Sequence, residues 1–319
     1  MNEATPRGWR KQGLSFAPSG QGGWMNSHAQ VPTALLLDDR IRVYVASRPR
    51  PGLSLTGYVD LDRTRPERVL AVSDTPILDP GGPGSFDEHG IMPSAVIADG
   101  MRVRLYYSGW SRLAGAAPYH NTTGLAVSED GGRTFRRECE GPVLDRSPRE
   151  PFSATSPYVV RHNGSLHVFY SAGLGWIDIG GKNEHVYDLR HAVSSDGVDW
   201  RRTGRPALAQ TFPEEALTRP TILRLADGSW AMWFCHRGSV GFRGGGDAYR
   251  IGFARSDDLI HWTRDDAAAG IDVSESGFDS EMIAYPCVLR VGERLLMFYN
   301  GNGFGRDGFA WAEWDGDGM

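Results

Sequence analysis

The feature that most constrains this chain is an internal repeat. A segment built of a proline, an apolar run, a turn and a second apolar run rich in aromatics recurs five times. Its prolines are Pro32, Pro93, Pro157, Pro220 and Pro286, spaced 61, 64, 63 and 66 residues apart. The first runs read VPTALLL, MPSAVIA, SPYVVRH, RPTILRL and YPCVLRV, and the second IRVYVAS, RVRLYYS, SLHVFYS, SWAMWFC and RLLMFYN. DDR, DGM, NGS, DGS and GER lie between them, so each unit opens with a β-hairpin. A further strand and a Ser-x-Asp turn followed by an aromatic and Arg recur in GLAVSEDGGRTFRR, RHAVSSDGVDWRR and GFARSDDLIHWTR. Such turns close hairpins by satisfying their own backbone and read as structural. Four strands per unit and five units predict an all-β fold, a five-bladed β-propeller forming a single domain over 1–319. The fifth unit ends at GFAWAEW without a fourth strand, and the stretch from Trp9 to Phe16 is expected to supply it and close the ring.

Composition agrees with a folded, strand-rich chain. Of 319 residues, 40% are hydrophobic and 23% charged, and Gly 41 with Pro 19 suits many tight turns. The net charge of -5 comes with no basic run, which argues against nucleic acid as a partner. The N-terminal MNEATPRGWRKQGLSF lacks the apolar core of a signal peptide and no long apolar segment follows. A cytoplasmic protein without a membrane partner is expected. Three cysteines cannot all pair, and Cys235 and Cys287 sit in apolar runs as small hydrophobes.

The inner strand of each blade lines a propeller's axis, so residues leading into the repeated proline should surround one mouth. Five before it stand Ser27, Glu88, Phe152, Glu215 and Glu281; four before it, His28, His89, Ser153, Ala216 and Met282. Immediately before it are Val31, Met92, Ser156, Arg219 and Tyr285. Three glutamates at one register make Glu281, Glu215 and Glu88 the catalytic candidates, with Asp87 and Asp279 in reserve. The ends of the second strands add Arg48, Trp110, Trp176, His236, Arg237 and Asn300. Together with His28, His89, Arg219 and Tyr285 they form the candidate substrate-binding set. Rings, amides and guanidinium groups suit a sugar, and the arginines suit a phosphate or carboxylate on it. The structural alternative for Trp110 and Trp176 is packing between blades.

No nucleophile elbow, phosphate-binding glycine turn or HExxH helix is present. No cofactor is expected; histidines 28, 89, 120, 191 and 236 with a glutamate leave a divalent metal as an alternative.

The repeat pattern resembles that of the five-bladed propeller glycoside hydrolases, the invertase-like, arabinanase-like and mannoside-phosphorylase group, over essentially the whole chain. WMNSHAQVP is similar to the invertase-like WMNDPNG: Trp24, Met25 and Asn26 match, and Ser27 stands at the nucleophile Asp. Val31 stands where arabinanase-like members carry Asp, and the later RDP and ECP motifs of invertases are missing, with Met92-Pro93 and Ser156-Pro157 in their places. The resemblance implies a carbohydrate or sugar-like small-molecule substrate, with other carboxylates doing the chemistry. The leading expectation is therefore a glycoside hydrolase-like enzyme acting on a small glycoside or activated sugar, Glu281 working with Glu215 or Glu88 as acid and base. The alternatives are a non-hydrolytic, metal-dependent biosynthetic enzyme on the same scaffold and a sugar-binding pseudoenzyme.

Overall fold

The computed structural model describes residues 8–316; the first seven residues, on which the signal-peptide reading partly rests, lie outside the described residues. Strand β1 (Gly8–Phe16) precedes a succession of antiparallel meanders. The first contains β2 (Gln30–Leu36), β3 (Arg40–Arg50), β4 (Leu53–Asp62) and β5 (Val69–Val72), and the second β6 (Gly90–Asp99), β7 (Arg102–Arg112), β8 (Tyr119–Ser128) and β9 (Arg136–Arg137). Next come β10 (Ala154–His162), β11 (Ser165–Ile179), β12 (Lys182–Ser194) and β13 (Arg201–Leu208), then β14 (Ala216–Arg224), β15 (Trp230–Arg237), β16 (Arg250–Ser256) and β17 (Thr263–Arg264). The last holds β18 (Ala284–Val291), β19 (Arg294–Asn300) and β20 (Phe309–Asp315), with β1 paired antiparallel on β20. The segment from Trp9 to Phe16 thus adds a strand beside β20.

Hydrogen bonding does not run through one closed sheet. The ladders form three sheets, because single parallel pairs, Ser54 with Gly90 and Tyr187 with Ala216, join the first meander to the second and the third to the fourth. Side-chain packing spans all five junctions, those two included. Tyr44, Ile91 and Leu105 share one cluster; Tyr106, Val159 and Val168 another; Phe169, Ile222 and Met232 a third; Trp233, Val288 and Met297 a fourth. Ile41, Val43 and Phe298 join first to last in a cluster that also takes Phe16 of β1. The first strands touch in cyclic order, β2 with β6, β6 with β10, β10 with β14, β14 with β18 and β18 with β2.

The Ser-x-Asp turns are structural, as read from the sequence. Ser128 Oγ accepts the Gly132 amide at 2.8 Å and Asp130 accepts those of Arg133 and Thr134. Gly132 is needed there: its φ is +83°, and a Cβ would lie 2.1 Å from the Tyr44 hydroxyl of the preceding meander. Among the described residues no helix is long and apolar enough to cross a membrane.

Candidate functional site

The repeated proline builds the site. Proline cannot donate to the ladder, and each first strand carries a register irregularity around it, between Gln30 and Thr33, Pro93 and Ala95, Thr155 and Tyr158, Thr218 and Thr221, and Ala284 and Cys287. In four meanders the preceding residue adopts a left-handed backbone: Val31, Ser156, Arg219 and Tyr285 have φ of 54°, 50°, 55° and 59°. Such conformations cost on the order of 1–3 kcal/mol for residues other than glycine and persist where the surroundings enforce them. Here the displaced amides find side chains. Val31 N donates to Asn300 Oδ1 at 2.8 Å, Ser156 N to Ser108 Oγ at 3.0 Å and Tyr285 N to Cys235 Sγ at 2.9 Å.

Val31, Met92, Ser156 and Tyr285 line a central cavity of about 350 Å³. Tyr119, His185, Tyr187, Tyr249, Phe242 and Phe304 give it aromatic walls, and Gln30, Asn121, Thr155 and Thr218 polar ones. Arg48, Arg237 and Arg243 bring three guanidinium groups, and no Asp or Glu is among the lining residues. Tyr187 and Tyr249 share a 2.7 Å hydrogen bond between their hydroxyls, and Arg237 stacks 3.7 Å over the Phe242 ring. Burial, and then Arg237, pushes the His185 imidazole down to about 3. Burial pushes the Tyr119, Tyr249 and Tyr285 hydroxyls up. All four are therefore held neutral near pH 7.

Of the residues expected from the sequence, Arg48, Arg237 and Tyr285 line the cavity. Arg219 is not among the lining residues; 3% exposed, it donates to the backbone oxygens of Ser94, Val31 and Pro32 and to Thr33 Oγ1. It faces a second, smaller cavity with Cys287 and Tyr158. Asn300 is spent on the backbone of Val31, Ala29 and Gly308. Trp110 donates to Ser54 Oγ at 2.7 Å and packs against His89, and Trp176 stacks on His185 at 4.3 Å, outside the lining. His28 bonds Ser27 Oγ, and burial with Arg48 brings it to about 4. His236 stands 3.7 Å from Glu215 and 3.8 Å from Asp266, away from the cavity.

The expectation that Glu281, Glu215 and Glu88 converge on the cavity is corrected by their placement. Glu88 accepts the Gly84 amide at 2.9 Å within its own loop, and Glu281 is exposed. Glu215, with no exposed surface, bonds Arg264 at 2.7 Å and the Thr211 amide at 2.6 Å. Burial alone would raise its carboxyl, but these bonds outweigh it and hold the group below its ordinary value.

Glu215 belongs to a repeated bracket. Asp87 bonds Arg137 and Tyr107, Glu150 bonds Arg202 and Tyr170, and Asp279 bonds Lys11 and Tyr299. In each case a buried carboxylate before the first strand ties the loop to a cation on the outermost strand of its own meander. Lys11 of β1 fills that place in the last one. The Arg residues were visible at the end of the Ser-x-Asp repeat; that they answer the upstream acids was not.

Sequence reasoning missed Asn121, Tyr187 and Tyr249. Each stands seven residues before the serine of a Ser-x-Asp turn, Ser128, Ser194 or Ser256, so extending that repeat upstream would have placed them at one register. Among the described residues no group of three or more His, Cys, Asp or Glu is arranged to hold a metal.

No protein-family model matches the chain. A solved structure described as "Glycoside hydrolase" superposes with a TM-score of 0.74 at 18% identity, covering 98% of this chain and 93% of that one, which makes the fold propeller-like. The 1,2-beta-oligomannan phosphorylase of Thermoanaerobacter sp. is 27% identical over 156 residues, 46% of this chain and 48% of that protein. Uncharacterized protein Rv1502 of Mycobacterium tuberculosis is 37% identical over 306 residues, 95% of this chain and 98% of its own length. At that identity and coverage the two share a family, and this chain belongs to the family of Rv1502.

Proposed function

We propose that this protein recognises a sugar-like ligand in its central cavity and does so without a carboxylate acid and base pair. The five meanders are then the blades of a single five-bladed propeller, closed by β1 on β20 and by the cyclic contact of the first strands. Three unpaired cysteines, two of them buried, support a reducing, cytoplasmic setting.

The observation that carries the reading is the lining itself. Aromatic faces alternate with polar groups whose hydrogen-bonding capacity is unspent: the Asn121 side chain bonds no described residue, and the buried Thr155 hydroxyl has no partner. A volume near 350 Å³ sits at the small end of ligand pockets, about 300–1,000 Å³, and suits a monosaccharide-sized ligand. The sugar-active names among similar proteins, a glycoside hydrolase and an oligomannan phosphorylase, point to the same ligand class. Glycoside hydrolysis by two carboxylates requires both at the scissile bond, and this cavity offers tyrosines and a neutral histidine instead.

Calorimetric titration of wild type, Asn121→Ala and Glu281→Gln with a panel of monosaccharides and simple glycosides tests this. At least one sugar should bind saturably, and Asn121→Ala should weaken it about tenfold. Glu281→Gln should leave binding, and any turnover, within about twofold of wild type. A loss of turnover of about 100-fold in the Gln variant, with folding intact, would return the chemistry to the glutamates.

A further inference from the structure

Resting on the reading of the central cavity as a sugar site, we propose that its ligand carries an oxyanion on the sugar itself, a phosphate ester or a carboxylate, received by the guanidinium groups of Arg48 and Arg237. Among the described residues neither arginine has a carboxylate within ion-pairing distance. Arg237 is only 4% exposed; it donates to Gly238 O, His185 O and Ser239 Oγ, and its buried Nε has no partner. Arg48 donates to Gln30 Oε1 at 3.0 Å and to no acid. The third guanidinium, Arg243, differs, because Glu184 already pairs with it.

Buried acids elsewhere in this chain are matched with cations, as Asp87 is with Arg137 and Glu215 with Arg264. A buried charge without its partner is costly, and neutral hydrogen-bond acceptors compensate it only in part. Buried Arg237 and half-buried Arg48 face one cavity with no acid in its lining and leave the counter-charge to the ligand. Arginine is suited to that task, because its planar fork matches phosphate and carboxylate oxygens. The two groups come from different meanders, β3 and β15, so an anion between them would also be oriented.

The test is a titration of the wild-type protein with glucose and mannose, their phosphate esters, glucuronate and inorganic phosphate. A phosphate ester or the uronate should bind about tenfold or more tightly than its neutral parent. That preference should shrink as ionic strength rises. Arg48→Gln, a substitution at a half-buried site, should abolish it without moving the melting temperature. Equal affinity for neutral and charged sugars, or a preference untouched in Arg48→Gln, would overturn the inference while leaving the sugar site standing. Inorganic phosphate binding as tightly as the esters would overturn it too, placing the anion in solution and not on the sugar. Absence of saturable binding by every probe would sink both the inference and the reading beneath it.

Discussion

Deleting the chain through Ala17 is expected to abolish the cooperative thermal transition of this protein. The deleted strand is an integral part of the last meander: β1 sets Trp9 opposite Trp314, Lys11 opposite Ala312 and Phe16 opposite Phe309. Trp9 and Phe16 are both 6% exposed, and Trp9 meets Trp233 and Trp314 edge to face at 5.6 and 5.3 Å. Losing a buried aromatic costs about 3–5 kcal/mol each. Lys11 also leaves, stripping the buried Asp279 of its cation, which costs about 3–5 kcal/mol more when one partner of a buried pair is removed. Those losses together match the whole stability of a typical domain, about 5–15 kcal/mol. The truncation also bares the edge of β20, so aggregation should accompany unfolding. Near-ultraviolet circular dichroism on heating, with size-exclusion chromatography, reads both. A cooperative melt within a few degrees of the full chain would show that β1 is dispensable.

Glu215→Ala should be the most damaging single substitution among the three glutamates. Its carboxylate is fully buried and holds Arg264, which then keeps only Asp266, 2.7 Å away and about a third exposed. Removing one side of such a pair costs about 3–5 kcal/mol. Glu281→Gln, at an exposed site, should stay within about 0.5 kcal/mol of wild type. Urea denaturation midpoints of the two variants make the comparison. Equal midpoints would remove the structural role assigned to Glu215.

Repetition explains both what the sequence reveals here and what it conceals. The proline register is visible because five copies of one hairpin must satisfy the same steric demand, and it correctly brings Val31, Met92, Ser156 and Tyr285 to the centre. The same repetition misleads at the glutamates. A buried carboxylate before the first strand recurs in four units because it ties a loop to the outermost strand through Arg137, Arg202, Arg264 or Lys11, and of the three glutamates at one register only Glu215 takes part. The groups lining the central cavity are those that differ between units at one register: Asn121 against Tyr187 and Tyr249, or Ser156 against Val31 and Tyr285. Asn300 shows a further limit. Its place at a strand end beside the mouth was legible, but the strained Val31 amide that consumes it exists only in three dimensions. The pairing of Glu184 with Arg243 is hidden in the same way, since 59 residues separate them.

The most direct measurement is difference electron density in crystals soaked with the tightest-binding sugar of the titration panel. Density in the central cavity, between Arg48 and Arg237 and within hydrogen-bonding distance of Asn121, is the expected result. Density confined to the loops that carry Glu88 and Glu281, with the cavity holding only solvent, would contradict the assignment of the site.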